Sequence, residues 1–408
     1  MMSEENKRRR QAKKRRARSK RRMVFVGLGA AIALVAVCVA LVFVLGNDSS
    51  DAEVAPSYTK IHFVAGGDLN ITDNVVASGG SNNDYTNVFM DVAHLLADAD
   101  LAALNFEGNL YGAPYGEQSA PASMAQALDR AGVDILQIAN SRTINRGLLG
   151  LNSTINTIRQ NGMEPIGAYE NQQEAKKNNG YVIYNVKGVR IGVVAFTKGV
   201  GGETIPANGA GCINLLYKDY DDGYQQVDTE GISKVLGALN EEKPDITIAL
   251  LHWGTENTDI ISASQKKIVS LMQQNGVDAI IGTHPHRVQK MEYDEEKGTF
   301  VAYSLGDFYS DVYYKNAKGE IVFRAGTEYS VLLDLEITKN DVTGETKITG
   351  YDYTPIFTVT ENYMPQRVVR IHEAMAAFEA GHIDAVSKEV YDQMAYALTR
   401  IKARVAGE

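Results

Sequence analysis

Twenty-three consecutive residues, Met23 to Leu45, carry no charge and nothing more polar than Cys38. As a helix this run would reach about 34 Å, enough for a hydrocarbon layer of about 30 Å. A buried core helix is another reading, but soluble cores rarely show so long an apolar run. A cleaved leader is the rival reading, but its apolar segment is shorter and ends in a small-x-small site. Here Val44, Leu45 and Gly46 lead straight into Asn47 and Asp48. The run therefore reads as an uncleaved single-pass anchor over residues 23–46. Residues 1–22 hold twelve Lys/Arg against two Asp/Glu, while Asp48 and Asp51 lie just beyond the run. Such asymmetry puts the basic tail in the cytoplasm, on anionic headgroups, and the main domain outside the cell. A nucleic-acid arm is the weaker reading of the same charges, and no nucleic-acid partner is expected.

The formal net charge of −9 is thus an average of unlike parts. Beyond the run the chain is acidic. Hydrophobic residues at 44% and charged residues at 22% exclude a wholly disordered chain. Of the two cysteines, Cys38 lies in the run and Cys212 stands alone, so no disulfide is expected in the outer body.

Residues 47–59 are polar and aperiodic, a short stalk. From residue 60 short apolar runs at 61–65, 101–104, 135–138, 181–186, 189–196, 246–251, 278–281 and 300–305 read as strands. Helical spacing at 86–98, 148–160, 230–240 and 262–275 falls between several of them. This alternation predicts an α/β domain over 60–312 with mostly buried strands. Alternating Val331, Leu333, Leu335 and Ile337 predict an antiparallel extension over 313–360. Helical spacing returns over 361–408, with Gly381 dividing two helices.

The residues closing each strand are the most informative. The runs end in Gly67-Asp68, Asn105-Phe106-Glu107, Ala139-Asn140-Ser141-Arg142, His252-Trp253-Gly254, Thr283-His284-Pro285-His286 and Gly306-Asp307. Ligands of open α/β sheets sit outside the carboxyl ends of the strands. Taken singly, Asp68 reads as a turn residue, Glu107 as a surface carboxylate and His252 as a core histidine. Together they supply the mixed N/O donors of a metal site. Two metals bridged by a carboxylate activate water and clamp a phosphoryl oxygen, and that chemistry also wants a proton donor. His62, His94, His372 and His382 lack such company and read as structural.

These blocks, with His252-Trp253-Gly254-Thr255-Glu256 and, 32 residues on from His252, His284-Pro285-His286, resemble the CapA family of capsule and poly-gamma-glutamate biosynthesis proteins. The resemblance covers roughly residues 60–312 and extends to calcineurin-like metallophosphoesterases. It implies a four-layer αββα sandwich with a dinuclear site of divalent ions, with Mn, Zn and Fe as candidates. It also implies Asp68 on one metal, Glu107 bridging, His252 and His284 on one ion, and His286 on the other. Asn105, Asn140, Ser141, Glu256 and Asp307 are expected to bind substrate or support the ligands. One block departs. The family reads Ala-Asn-Asn-His, whereas this chain has Ala139-Asn140-Ser141-Arg142, and Asn145 stands where the family has Asp. A guanidinium does not give up a proton near neutral pH, but it binds oxyanions in bidentate fashion.

The resemblance implies a membrane-bound protein that makes or exports an anionic polymer alongside the other subunits of a poly-gamma-glutamate synthase complex. Two alternatives stand beside it. One is an exported metal-dependent phosphoesterase acting on a cell-envelope substrate. The other is a non-catalytic polymer-binding module in which Arg142, Arg146 and Arg287 form an anion patch.

Overall fold

This computed structural model describes residues 57–408 apart from 117, 384 and 385. The basic tail, the apolar run and most of the stalk lie outside the described residues. Among the described residues no helix is long and apolar enough to cross a membrane.

The strand-forming runs sort into two sheets. In the first, β1 (Tyr58–Asn70), β2 (Leu101–Glu107), β3 (Ile135–Gln137) and β4 (Glu164–Ile166) run parallel. In the second, β5 (Tyr181–Val186), β6 (Val189–Thr197), β7 (Ile246–His252), β8 (Ala279–Thr283), β9 (Met291–Asp294) and β10 (Thr299–Ala302) lie in the order β5-β6-β7-β8-β10-β9. There β6, β7, β8 and β10 are parallel, and the outer strands β5 and β9 pair antiparallel. A short ribbon, β11 (Tyr313–Lys315) and β12 (Ile321–Phe323), stands apart from both. Then β13 (Tyr329–Asn340), β14 (Thr346–Glu361) and β15 (Met364–Arg370) widen the first sheet antiparallel, with β13 against β1.

Alternation along the strands decides the layers. Phe63, Ile135, Ile191, Ile248 and Ile281 share one core between the facing sheets. The opposite face of the first sheet, through Val64, Leu104 and Leu136, packs on α1 (Asp73–Ala77), α2 (Ala93–Asp98), α3 (Ala122–Ala131) and α4 (Gly147–Gln160). On the surface lies α5 (Gln172–Asn178), which buries no residue. The opposite face of the second sheet, through Phe196, Ala249 and Ile280, packs on α6 (Thr229–Glu241) and α7 (Ala263–Gln274). Each large apolar side chain buried this way contributes about 1.5–3 kcal/mol.

The widened first sheet needs its own cover. That comes from α8 (Ile371–Glu379) and α9 (Lys388–Ala406), whose Ile371, Val390, Met394, Ala397, Ile401 and Val405 join the core between the sheets. The Ser387 hydroxyl caps α9 by accepting from the Val390 N–H at 3.2 Å, a contact that contributes about 1 kcal/mol.

Two expectations need correction. Residues 364–370, placed with the C-terminal helices, form strand β15, and Val368 pairs with Thr358 instead of opening a helix. Of the helix expected over 86–98, only 93–98 forms. Asp84 takes the Thr86 N–H at 3.0 Å, and the stretch closes in separate turns, with Val88 N–H donating to Tyr85 O at 3.1 Å and Val92 N–H to Phe89 O at 3.3 Å, so its apolar residues reach the core without a continuous α-helix.

Candidate metal centre

The carboxyl ends of β1, β2, β7 and β8 and the loop after β10 meet at one place, where the two sheets face each other. Two glycines allow the approach. A Cβ on Gly67 would lie 1.8 Å from the Gly306 carbonyl oxygen, and one on Gly282 would lie 2.1 Å from that of Tyr303. The Asp68 N–H instead donates to Gly306 O at 3.0 Å, which brings Asp307 next to Asp68. Behind β7, Trp253 is fully buried and donates to Tyr303 O at 2.9 Å, fixing the direction in which His252 leaves its strand. His284 and His286 have φ of +93° and +57°, values that bulky residues rarely adopt. Such strain persists only where the surroundings enforce it, and it gathers at functional sites.

Asp68, Glu107, His252, His284, His286 and Asp307 are all buried there. Three overlapping sets among them bring ligand atoms within 4.8 Å of one another: Asp68, Glu107 and His252; Glu107, His284 and His286; Asp68, His286 and Asp307. His252 Nδ1 is 3.8 Å from Asp68 Oδ1, and its Nε2 is 3.8 Å from Glu107 Oε1. His286 Nδ1 lies 2.7 Å from Asp307 Oδ1 and 3.4 Å from Asp68 Oδ2. Glu107 Oε2 and His284 Nδ1 are buried with no hydrogen-bond partner among the described residues. Orphaned acceptors of this kind cost about 1–3 kcal/mol each and call for an explanation. A cation between them supplies one, and the donor set of carboxylates and imidazoles suits a divalent ion.

Hydrogen bonds hold the cluster from behind. Asn105 donates its amide to Asp68 Oδ1 at 2.5 Å and accepts from Asn140 Nδ2 at 3.0 Å. Asp68 Oδ2 accepts the His284 N–H at 2.9 Å. The Thr283 hydroxyl is 3.2 Å from His252 Nδ1, and Ser310 donates to Asp307 Oδ2 at 2.5 Å.

Burial dominates the proton affinities. It raises Asp68 to about 6, with Asp307 adding to the rise and His286 opposing it. It raises Glu107 to about 8, with Asp68 adding to the rise. Burial also pushes His252 and His284 well below the ordinary imidazole range, with neighbouring cations reinforcing the effect. Two of the three imidazoles are therefore neutral, the form a metal requires. For His286 burial pulls the same way, but Asp307, Asp68 and Glu107 outweigh it and raise the imidazole to about 10.

The remaining expected residues divide. Asn105 sits among the ligands. Asn140 is consumed by structure, since its amide also donates to Phe106 O at 2.7 Å and its carbonyl accepts from the Arg142 N–H at 2.9 Å. The Ser141 hydroxyl is 3.0 Å from His252 Nε2. Arg142 is half-buried, and its charge lowers the proton affinity of Glu107 and the two neutral imidazoles. The Gln118 side-chain amide, with its carbonyl turned toward the guanidinium, lies at 2.9–3.1 Å. Glu256 is not part of the cluster. It is exposed on the loop after β7, where its charge acts on Lys198. Arg287 turns into a separate cavity beside α9.

Sequence reasoning missed Lys198. It stands directly after β6, its Nζ donates to Gly254 O at 2.9 Å, and its charge depresses His252 and His284. The rule of polar residues after strands covers it, but a search for ligand types passes over a lysine.

The fold and site define a two-sheet α/β protein with a buried N/O donor cluster at its strand ends. The family model described as "Bacterial capsule synthesis protein PGA_cap" matches residues 62–312, and the chain belongs to that family, the CapA family. It is 28% identical over 241 residues to the capsule biosynthesis protein CapA of Bacillus anthracis, covering 56% of this chain and 54% of that protein. It is 27% identical over 218 residues to the PGA biosynthesis protein CapA of Bacillus subtilis strain 168, covering 53% and 50%. The chain thus aligns with about half the length of these curated relatives. Among solved structures, the calcineurin-like phosphoesterase YfkN of Bacillus subtilis is similar with a TM-score of 0.44 at 16% identity, covering 84% of this chain and 100% of that one.

Proposed function

We propose that this chain is a membrane-anchored, extracytoplasmic CapA protein that acts in the synthesis or export of poly-gamma-glutamate or a related anionic capsule polymer. The observation that carries the reading is the family match over 62–312. The anchor rests on Met23–Leu45 and the basic tail before it, and the partners are other membrane subunits of a polymer synthase. Deletion of the gene should remove surface polymer, and the full chain should restore it. A chain lacking residues 1–46 should fail to restore it and should leave the membrane fraction. Unchanged polymer in the deletion strain would refute the proposal.

At the centre, Asp68, Glu107, His252, His284 and His286 would hold one or two divalent ions, with Asp307 within reach of the same place. When bound, a divalent ion supplies a Lewis acid for a phosphoryl or carbonyl oxygen and lowers the pKa of water. The other parts come from the chain itself. Asn105 and the His284 N–H fix both Asp68 oxygens. Asp307 orients the His286 ring, as carboxylates behind ligating histidines commonly do. The Arg142 guanidinium binds and orients an oxyanion but protonates no leaving group near neutral pH.

A second reading, an exported metal-dependent phosphoesterase acting on an envelope substrate, is favoured by the retained ligand cluster with its orphaned Glu107 and His284 atoms. Metal analysis paired with a phosphodiester assay separates the two. Bound metal without turnover assigns the centre to binding, and absence of metal removes both metal-based versions.

A further inference from the structure

The guanidinium of Arg142 borders the metal centre and is held there by its flat face. With its carbonyl turned toward Arg142, the Gln118 side chain puts its oxygen 2.9 Å from Nε, 3.0 Å from Nη2 and 3.1 Å from Nη1. An atom nearly equidistant from all three nitrogens lies over the middle of the planar group. The N–H bonds point outward in that plane, so none of them is aimed at it. Gln118 therefore covers one face of the guanidinium and leaves its N–H edges free. Among the described residues no carboxylate forms an ion pair with Arg142, and those of the centre pair with His252 and His286. The other end of the Gln118 amide donates to Asn145 Oδ1 at 2.8 Å, so the next contact is neutral as well.

The support for this arrangement is built from several directions. Gln118 has φ of +68°, a conformation that long side chains rarely adopt. Its main chain is tied to the residue that also ties down Arg142. Asn109 is buried and donates its N–H to the Gln118 main-chain carbonyl at 2.8 Å. The Asn109 side chain donates to the carbonyls of Arg142 and Thr143 at 3.3 Å and accepts the Arg146 N–H at 2.8 Å. Gly201 stands at another edge. A Cβ there would lie 2.6 Å from Ser141 O and 3.8 Å from Arg142 Nη1, so a longer side chain would cover that nitrogen. A fixed guanidinium with free edges and neutral direct contacts keeps its charge for a ligand.

We infer that Gln118 is the positioning residue for Arg142. It holds the guanidinium edge-on to one oxyanion at the metal centre, either the phosphate of a phosphoester or a carboxylate of a polymer. The inference rests on the oxyanion role given to Arg142 above and adds the residue that orients it.

The test uses the full chain in detergent, loaded with manganese, and titrates inorganic phosphate and glutarate by calorimetry. Arg142→Met should weaken anion binding about tenfold or more, the loss of a charged hydrogen-bonding partner. Gln118→Met keeps the length of the side chain without its carbonyl and should weaken binding about fivefold, the cost of ordering a side chain left free. In the Arg142→Met background the same change should have no further effect, because it acts through the guanidinium. Gln118→Gly suits the positive φ, lacks the carbonyl and should show the loss seen with Met, which separates the side chain from a disturbed loop. Gln118→Glu restores an oxygen but adds a negative charge, and should bind anion no better than Gln118→Met. Equal losses from Gln118→Met in both backgrounds mark a merely structural role and overturn the inference. Wild-type affinity in Gln118→Met and Gln118→Gly, or a gain in Gln118→Glu, overturns it too. Preference for phosphate assigns a phosphoester and preference for glutarate a carboxylate, while a wild type that binds neither refutes the inference. If Arg142→Met binds as the wild type does, the oxyanion role of Arg142 fails with it. Polymer loss in the deletion strain still decides the capsule role in every case.

Discussion

Replacing Glu107 with Gln should make the metal-free protein more stable and the metal-loaded protein less so. Glu107 is 2% exposed, its Oε2 has no partner among the described residues, and burial raises its proton affinity from the ordinary 4.5 to about 8. Between those pH values the folded state binds the proton that the unfolded state has released. Stability therefore falls as pH rises through that window and levels off above it. At pH 7 the difference amounts to about 3 kcal/mol, at about 1.4 kcal/mol per pH unit. Gln keeps the shape and removes the titration, at about 1 kcal/mol for an amide left poorly paired. The net gain is about 2 kcal/mol in the presence of a chelator, read from urea midpoints at constant m. Manganese at a hundredfold excess over its Kd should stabilise the wild type by about 2.7 kcal/mol and the Gln variant far less. The gain should vanish at about pH 5, where the wild-type penalty has fallen to the cost of the amide, and turn into a loss of about 1 kcal/mol below about pH 4, where both states of the wild-type residue are protonated. A variant less stable than wild type in chelator at pH 7, or equal metal stabilisation of both proteins, would show that Glu107 is not a strained carboxylate awaiting a cation.

The same geometry sets other outcomes. Restoring Ser141→Asn with Arg142→His should raise phosphodiester turnover by about 10²-fold or more if a missing general acid limits the centre; unchanged turnover would place the defect elsewhere. Gly67→Ala should destabilise by about 3 kcal/mol or more, because its Cβ meets the Gly306 carbonyl at 1.8 Å and the backbone must shift; a loss in metal affinity should accompany it. Metal affinity should climb as pH rises from 6 to 9, since metal binding must displace protons from Glu107, raised to about 8, and His286, raised to about 10. Calorimetry in buffers of different ionisation enthalpy measures that release, and a pH-independent affinity contradicts it.

Much of this was legible because buried parallel strands announce themselves twice, by an apolar run and by the polar residue that stops it. Asp68, Glu107, His252, His284 and His286 each occupy such a stop, and strand direction alone then gathers them. The reading failed where one signal was missing. Strands β4 and β9 are three and four residues long, too short to show a period. Val368 fits a helical spacing with Ile371 and Met375, yet pairing with β14 claims it, because hydrogen bonds to a strand already in place outweigh a weak local preference. Glu256 sits in a recognisable block, but block membership gives no direction. After Gly254 turns at φ +80° the chain leaves the cluster and the carboxylate faces water. Asp307 was expected behind the ligands, and only the close approach over Gly67 shows it within reach of the same place as Asp68 and His286.

Charge at the centre also gives Arg142 a physical meaning. Three carboxylates, Asp68, Glu107 and Asp307, share one buried region with little water to screen them. In the metal-free protein the His286 proton, held between Asp307 and Asp68, supplies positive charge at that point. A divalent ion held there would bring two positive charges in place of that one and make the proton unnecessary. A histidine at position 142 could be neutral in either state and pass a proton when required. An arginine is charged in both, so the loaded site keeps one more positive charge throughout. That extra charge strengthens the hold on an incoming oxyanion and equally on the departing one, whose negative charge nothing at position 142 can neutralise. An arginine at position 142 therefore favours retaining anions at the site over releasing cleaved ones.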